Sequence, residues 1–301
     1  MTSSLEVREV RKSYGKFVAV DGVSFSVPEQ GSIFGLLGPN GAGKTSTIRM
    51  IMDIVPQDSG EIRLFGRPRG AEELRRVGYL PEERGLYRKM NVVDQLLFLG
   101  EIHGRKRRDL LPAIDRWLDR VDLGKWKKAK VEELSKGMQQ KVQLIGTLLH
   151  EPELLILDEP FSGLDPINQE LFRDLFLEHR KQGRTVVLST HGMELAERMC
   201  DHICLISHGK VVLTGALRDI KRRVAGNAYV LVAEGDLGRV QDLPEVEQAL
   251  VQDGVVKLLL RPDAEGPETL RRMIEFLRVH EFRSEEPELE QIFLKAVRDA
   301  A

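Results

Sequence analysis

A glycine-rich segment between a predicted strand and a predicted helix constrains the fold of this chain more than any other feature. Residues 38–45 read Gly-Pro-Asn-Gly-Ala-Gly-Lys-Thr and match the pattern G-x-x-x-x-G-K-[ST]. The apolar run 32–37 precedes this segment, and a helical pattern over 44–53 follows it. Glycines let backbone N–H groups wrap phosphate oxygens, and the start of a helix adds a positive dipole end. The segment therefore predicts a phosphate-binding loop, and with it a nucleotide site.

Side chains in this loop suit the chemistry of a nucleotide. Lys44 can supply a point charge to the β- and γ-phosphates, and Thr45 can offer a hydroxyl to Mg²⁺. The predicted nucleotide-binding residues of the loop are Gly38, Pro39, Asn40, Gly41, Ala42, Gly43, Lys44, Thr45 and Ser46.

Two carboxylates follow a second apolar strand. The run Leu-Leu-Ile-Leu at 154–157 ends in Asp158 and Glu159. Ligands of open α/β sheets bind at the carboxyl ends of the strands, so both side chains are expected near the phosphates. Asp158 is predicted to hold Mg²⁺, directly or through water, and Glu159 to polarise the attacking water as general base. Two acids after a strand are by themselves usually solvated loop residues, but behind a phosphate loop they become much more specific.

The order of the predicted elements indicates an α/β fold. Alternating apolar and polar residues over 5–27 predict half-buried antiparallel strands, and helical spacing dominates about 88–150. Strands resume at 154–157 and 185–188, with helices after each. Strand and helix in alternation imply a parallel sheet covered on both faces. We assign 1–215 to this nucleotide-binding domain, with a helical subdomain over about 88–150.

The pattern of apolar and polar residues changes after about residue 213. A basic, helix-like stretch leads to a break at Gly226-Asn227, so 216–227 is predicted to be a linker. Strands are predicted at 229–233 and 255–260, and helices around 246–250, 267–279 and 289–297. Residues 228–301 are therefore expected to form a small α+β accessory domain, either a ligand-sensing regulator or a unit that stabilises a dimer.

Composition excludes several classes of protein. The net charge is −2, so no global basic field favours nucleic acid, and no nucleic-acid partner is expected. The two cysteines, Cys200 and Cys204, lack the second pair that a zinc site needs and are expected to be reduced thiols. No apolar run approaches the ~18–20 residues that span a bilayer. Any membrane role therefore requires a separate membrane-embedded partner.

The phosphate loop, the strand that ends in Asp158 and Glu159, and several further segments follow one another as in the ABC ATPase family, which the chain resembles. Residues 134–141 resemble the family's signature segment, residues 162–165 its D-loop, His191 its switch histidine, and Tyr14 the aromatic residue that stacks on adenine. The resemblance covers residues 1 to about 215. The signature residues are Leu134, Ser135, Lys136, Gly137 and Met138, and the D-loop residues are Ser162, Gly163, Leu164 and Asp165.

The resemblance implies an ATPase that uses ATP and Mg²⁺ in a composite site. In the family two cassettes face each other, and the signature Ser and Gly of one contact the γ-phosphate held by the other. The chain should therefore dimerise, with itself or with a paralogous cassette. Catalytic roles are implied for Glu159, His191 and Lys44, and metal-binding roles for Thr45, Asp158 and Glu82.

At two places the sequence departs from the family pattern in a way that bears on the rate of ATP hydrolysis. Lys136 and Met138 replace the usual Gly and Gln of the signature, and Lys136 either helps to bind phosphate or is simply solvated. Glu82 takes the place of the usual Q-loop glutamine, which adds negative charge near the phosphates. Hydrolysis is expected to be retained because Lys44, Asp158, Glu159 and His191 are present.

The segment 79–87 and the signature variant resemble a bacterial exporter subgroup that includes sodium-efflux systems and tends to carry a small C-terminal domain. This resemblance implies a cytoplasmic ATPase, peripheral on the inner face of the cell membrane, that works with a separate integral membrane transporter subunit. Two alternatives stay open at this point. One is a soluble ABC ATPase acting on the ribosome or nucleic acid, and the other is an importer ATPase.

Overall fold

The computed structural model describes residues 3–28, 31–83, 85–225, 227–252, 254–285 and 287–299. Arg84 of the subgroup motif, Gly226 of the predicted linker, and the chain ends 1–2 and 300–301 of the predicted domains lie outside the described residues. Contacts between residues divide the chain into two compact units, Met1–Gly215 and Ala216–Asp299.

The first unit contains most of the helices and strands. Its strands are β1 (Ser3–Tyr14), β2 (Phe17–Pro28), β3 (Ile33–Leu37), β4 (Ser59–Leu64), β5 (Arg67–Pro68), β6 (Val77–Leu80), β7 (Leu154–Asp158), β8 (Thr185–Thr190), β9 (His202–Ser207) and β10 (Lys210–Ala216), which ends at the division. Its helices are α1 (Lys44–Ile51), α2 (Ala71–Leu74), α3 (Val92–Ile102), α4 (Arg107–Arg120), α5 (Lys136–Leu148), α6 (Pro166–Lys181) and α7 (Met193–Met199).

Two sheets of this unit enclose one core. The first has the order β2-β1-β4-β5 and is antiparallel, as the alternating pattern of 5–27 predicts. The second has the order β10-β9-β3-β8-β7-β6, and its pairs from β9 to β6 are parallel. Strands β3, β7 and β8 are buried along their whole length, and the side chains in the middle of each strand are apolar on both faces. Because parallel strands end at one edge, Leu37, Asp158 and Thr190 meet there, and the site is built at this edge.

A helical region packs around its own apolar cluster. Helices α3, α4 and α5 contribute buried side chains at helical spacing, including Leu96, Ile114 and Val142. Asn91 caps α3 by accepting a hydrogen bond from Asp94 N at 2.8 Å, which satisfies a donor that the first turn leaves free. Among the described residues no helix is both long enough and apolar enough to cross a membrane.

The second unit is an α+β domain. Its elements are α8 (Leu217–Ala225), β11 (Ala228–Gly235), β12 (Val246–Gln252), β13 (Val255–Leu260), α9 (Gly266–Met273), β14 (Leu277–Ser284) and α10 (Leu289–Asp299). The strands form an antiparallel sheet with the order β12-β13-β11-β14. The fold class predicted from the sequence, a parallel α/β core with a smaller α+β part, is confirmed.

Two assignments within the second unit are wrong. Residues 246–250 were predicted to be helical but lie in strand β12, because pairing with β13 from Val246↔Leu260 to Gln252↔Val255 satisfies their backbone groups. The helix predicted over 267–279 ends at Met273, and Leu277 begins β14, which pairs with β11. Short apolar runs fit either structure, and the sheet decides between them.

Candidate nucleotide site

The glycine-rich loop joins β3 to α1 through backbone conformations that only glycine adopts readily. Gly38 has φ 150° and Gly43 has φ 105°. A Cβ atom on Gly38 would lie 2.1 Å from the Ile206 carbonyl oxygen, and one on Gly43 would lie 2.5 Å from that of Ala19. Gly41 has φ 79°, but a Cβ there would meet no atom of the described residues within 4 Å. Two of the three glycines are therefore required by packing, and the third leaves open space beside the loop.

Lys44 places its ammonium group inside the curve of the loop. Its Nζ donates to the carbonyl oxygens of Gly38 at 2.7 Å and Pro39 at 3.2 Å. The same atom lies 3.3 Å from Glu159 Oε1, and the Lys44 residue is only 5% exposed. The first helical residue thus holds a buried positive charge against the loop, as a phosphate site requires.

Asp158 ends β7 next to the loop and meets two hydroxyl groups. Thr45 Oγ1 donates to Asp158 Oδ1 at 3.2 Å, and Ser189 Oγ donates to the same oxygen at 2.5 Å. The other carboxylate oxygen, Oδ2, is buried and has no hydrogen-bond partner among the described residues. A buried anionic oxygen without a donor is costly unless a cation or water meets it.

This oxygen set fits Mg²⁺. Magnesium binds through one or two carboxylates together with substrate phosphates, and does not need a cage of protein ligands. The described residues contain no group of three His, Cys, Asp or Glu side chains that could hold a metal by themselves. A metal at Asp158 and Thr45 would therefore share its coordination with the nucleotide.

Glu159 follows Asp158 in a left-handed backbone conformation, with φ 47°. Its N–H points to Ser189, 3.1 Å from Oγ and 3.2 Å from the carbonyl oxygen. His191 Nδ1 lies 3.1 and 3.2 Å from the two carboxylate oxygens of Glu159, while the Lys44 ammonium approaches Oε1. Non-glycine residues in this conformation are uncommon and cluster at functional sites. The three predicted catalytic side chains thus form one contact group.

A cavity of about 340 Å³ opens in front of the loop. Tyr14, Phe17 and Glu82 contribute to its walls together with the loop and Glu159. Tyr14 and Phe17 are paired residues at the turn between β1 and β2, and both rings are well exposed. Phe17 was not singled out from the sequence, although its place opposite Tyr14 across a two-residue turn could have indicated it.

The segment after β6 is held by helix α5. Gln143 Nε2 donates to the carbonyl oxygens of Pro81 at 3.3 Å and Glu83 at 3.2 Å, on either side of Glu82. Glu82 itself is exposed and lines the cavity. Behind it, burial and the negative charge of Asp158 raise the pKa of Tyr79 to about 12, so this phenol stays neutral. No local pattern in the sequence indicates the role of Gln143.

The signature residues surround the start of α5 and do not line this cavity. Ser135 caps the helix by accepting from Met138 N at 3.3 Å, and Lys136 is exposed. Leu134 is 5% exposed, and Met138 packs against the helical cluster. Within one chain, the exposed hydroxyl and the helix N-terminus are therefore available to a ligand held elsewhere.

The predicted D-loop also lies away from the cavity lining. Ser162 and Gly163 are exposed, and Leu164 is buried. Asp165 caps α6 by accepting from Asn168 N at 2.9 Å, and this hydrogen bond lowers the pKa of its carboxyl group. The structure therefore brings together the loop, Asp158, Glu159, His191, Tyr14 and Glu82, and leaves the signature and D-loop residues apart from them.

Two family models match separate parts of the chain. The sequence profile described as ABC transporter matches residues 20–162. A second profile, described as ATP-binding protein DrrA1-3-like, C-terminal domain, matches residues 215–297.

Two of the relatives described here match nearly the full length of this chain. The ABC transporter ATP-binding protein YhaQ of Bacillus subtilis is 40% identical over 97% of this chain and 98% of its own. The linearmycin resistance ATP-binding protein LnrL of Bacillus subtilis is 32% identical over 96% of this chain and 97% of its own. The Nod factor export ATP-binding protein I of Cupriavidus metallidurans is 35% identical over 80% of each chain.

Among solved structures, one described as the ATP binding subunit of an ABC transporter has a TM-score of 0.69 to this chain. The two are 32% identical, and the match covers 74% of this chain and 93% of the other.

Proposed function

The chain belongs to the ABC transporter ATP-binding proteins, as its motifs predict, and we propose that it powers an exporter through a separate membrane subunit. Membership of the family establishes an ATPase that hydrolyses ATP to drive transport, with a DrrA-like C-terminal domain. Export is supported by the likeness, over 96% of the chain, to a linearmycin resistance protein and by the likeness to Nod factor export proteins.

The contact of Glu159 with both Lys44 and His191 is the observation that best supports ATP hydrolysis at this site. The loop amides and Lys44 bind the β- and γ-phosphates of ATP, and Tyr14 with Phe17 supports the adenine ring. Glu159 accepts a proton from the attacking water, and His191 orients the Glu159 carboxylate. When bound, Mg²⁺ neutralises phosphate charge, and Asp158, Thr45 and Glu82 would hold it.

ABC ATP-binding subunits dimerise, and we propose that two copies of this chain build two composite sites. Ser135 and Gly137 at the start of α5 would address the γ-phosphate held by the partner copy, where hydroxyl, backbone N–H and helix dipole act together. The exposed residues Ser162 and Gly163 would lie at the same junction. A paralogous cassette in place of the second copy is the alternative outcome.

ABC ATP-binding subunits also work with a membrane transporter subunit, and the surface near 82–91 is the proposed contact. The rings of Tyr87 and Phe98 lie there edge to face, 5.4 Å apart, and both are exposed. Exposed aromatic residues are enriched in protein interfaces. We therefore propose that the protein lies on the cytoplasmic face of the cell membrane.

Purification of a tagged Glu159→Gln variant with ATP from detergent-extracted membranes tests the proposal. A polytopic membrane protein should co-purify, and Tyr87→Glu in the same background should reduce its recovery. Ile54→Glu, a change at another exposed apolar residue, should not. Recovery of ribosomes or of a soluble partner without any membrane protein would overturn the transporter assignment and leave the ATPase standing.

A further inference from the structure

A second cavity, of about 200 Å³, lies between helix α4, the end of α5 and the C-terminal half of α6. It shares no lining residue with the cavity at the phosphate loop. Three arginines, a tryptophan and a histidine line it: Arg116, Arg120, Arg184, Trp117 and His179. Neither the family motifs nor the proposed mechanism uses any of these side chains.

Both carboxylates at this cavity already have cationic partners. Glu178 makes two hydrogen bonds with Arg120, one of them at 3.3 Å, and Arg120 also lies 5.3 Å from the centre of the Trp117 ring. Glu151 pairs with Arg105 at 3.6 Å. The negative charge at the cavity is therefore matched without the other two arginines.

Arg116 and Arg184 are the uncompensated charges. Neither has a carboxylate oxygen within 4.0 Å among the residues that the structure describes. Two hydrogen bonds from Arg76, at 2.7 and 2.6 Å, are the main reason that the pKa of Glu153 is lowered, and the charge of Arg184 contributes least. The exposed Arg116 and the half-buried Arg184 thus line one cavity without a carboxylate partner among the described residues. Guanidinium groups in such pairs bind oxyanions.

His179 adds a buried donor or acceptor. The residue is 4% exposed, and its Nε2 atom is buried without a hydrogen-bond partner in the described structure. Burial and the charge of Arg184 lower the pKa of His179 to about 4, so the ring is neutral near pH 7 and has one N–H to offer. Buried polar atoms are nearly always satisfied. Because Nε2 lies beneath the present surface of the cavity, a ligand would bond to it once the imidazole ring turns toward the cavity.

We propose that this cavity binds a small phosphate monoester, with Arg116 and Arg184 on the phosphate group and His179 Nε2 as a further donor. Three separate donors suit a tetrahedral oxyanion with three free oxygens better than a planar carboxylate with two. Trp117 offers a flat apolar wall to the organic part. The volume is below the ~300–1,000 Å³ of pockets for larger ligands, which limits the ligand to a small metabolite.

Trp117 makes the proposal testable by fluorescence. The chain has two tryptophans, so Trp126→Phe leaves Trp117 as the single reporter. Lys44→Ala is added to this background to weaken phosphate binding at the nucleotide loop. Titration of the full chain with glycerol 3-phosphate, at constant ionic strength, should give a saturable change in Trp117 emission.

Matched variants locate the binding site. The pair Arg116→Gln and Arg184→Gln should weaken binding at least about tenfold. The control pair Arg108→Gln and Arg173→Gln, on helices α4 and α6 but outside the cavity lining, should leave binding unchanged. Circular dichroism confirms that each variant is folded. An unsaturable response, equal binding by acetate, or equal affinity in the two variant pairs would overturn the proposal.

Discussion

Lys44 Nζ lies 3.3 Å from Glu159 Oε1, and both side chains are less than one tenth exposed. A buried ion pair of this kind is sensitive to the loss of either member, because the remaining charge is left without compensation. The phosphates of ATP compete with Glu159 for the same ammonium group. Nucleotide binding is therefore expected to draw Lys44 from Glu159 and to leave the carboxylate free to act on water.

Glu159→Gln separates binding from hydrolysis. The amide cannot accept the proton, so the rate of phosphate release should fall by at least about 10²-fold. ATP affinity should stay equal or become tighter, because one negative charge near the phosphates is lost. Single-turnover phosphate release and calorimetric ATP titration measure the two quantities. Lys44→Ala is the control that should lose binding as well, and wild-type turnover in Glu159→Gln would contradict the assignment of the base.

Glu82→Gln tests the unusual carboxylate at the cavity wall. If Glu82 is a ligand for Mg²⁺, its loss should raise the Mg²⁺ concentration needed for half-maximal ATPase activity several-fold. The effect on metal-free ATP binding should be small and salt-dependent, because Glu82 is exposed. Glu83→Gln, the neighbouring change outside the lining of the nucleotide cavity, is the matched control. The same Mg²⁺ requirement in both variants would exclude the role.

Local patterns in the sequence predicted the parts of the site that local structure builds. The loop, the helix from Lys44 and the carboxylates at the end of β7 each follow from a few neighbouring residues. Ser189 and Gln143 do not: Ser189 meets Asp158 only because β8 pairs with β7, and Gln143 reaches Pro81 from a helix more than sixty positions along the chain. Tertiary pairing, which no local period encodes, also decided between strand and helix at 246–250.

Alanine substitutions at two loop glycines should differ in their effect on stability. Gly41→Ala should cost about 1–2 kcal/mol, since φ 79° is unfavourable but space is open. Gly38→Ala should cost more, because its Cβ would lie 2.1 Å from a carbonyl oxygen and the backbone must move. Thermal midpoints without nucleotide make the comparison. An equal decrease in both variants would show that the close approach at Gly38 relaxes freely.

Two buried histidines predict that the folded protein loses stability at pH values above the range in which carboxylates titrate. Burial and neighbouring positive charge lower the pKa of His150 and of His179 to about 4, below the ordinary 6.5. Between these values the unfolded chain binds more protons than the folded one, so stability falls as the pH decreases through this window. Each histidine should contribute a loss of about 2 kcal/mol at most between about pH 7 and pH 5.

Urea unfolding at these two pH values measures this loss. Carboxylates with lowered pKa, such as Glu153 and Glu178, remain charged in both states over most of this range and contribute little. His150→Gln and His179→Gln should therefore each reduce the pH dependence, because glutamine keeps a polar group without a titrating proton. His280→Gln, at a half-exposed position, should not. If all three variants kept the wild-type slope, burial of these rings would not be the source of the acid sensitivity.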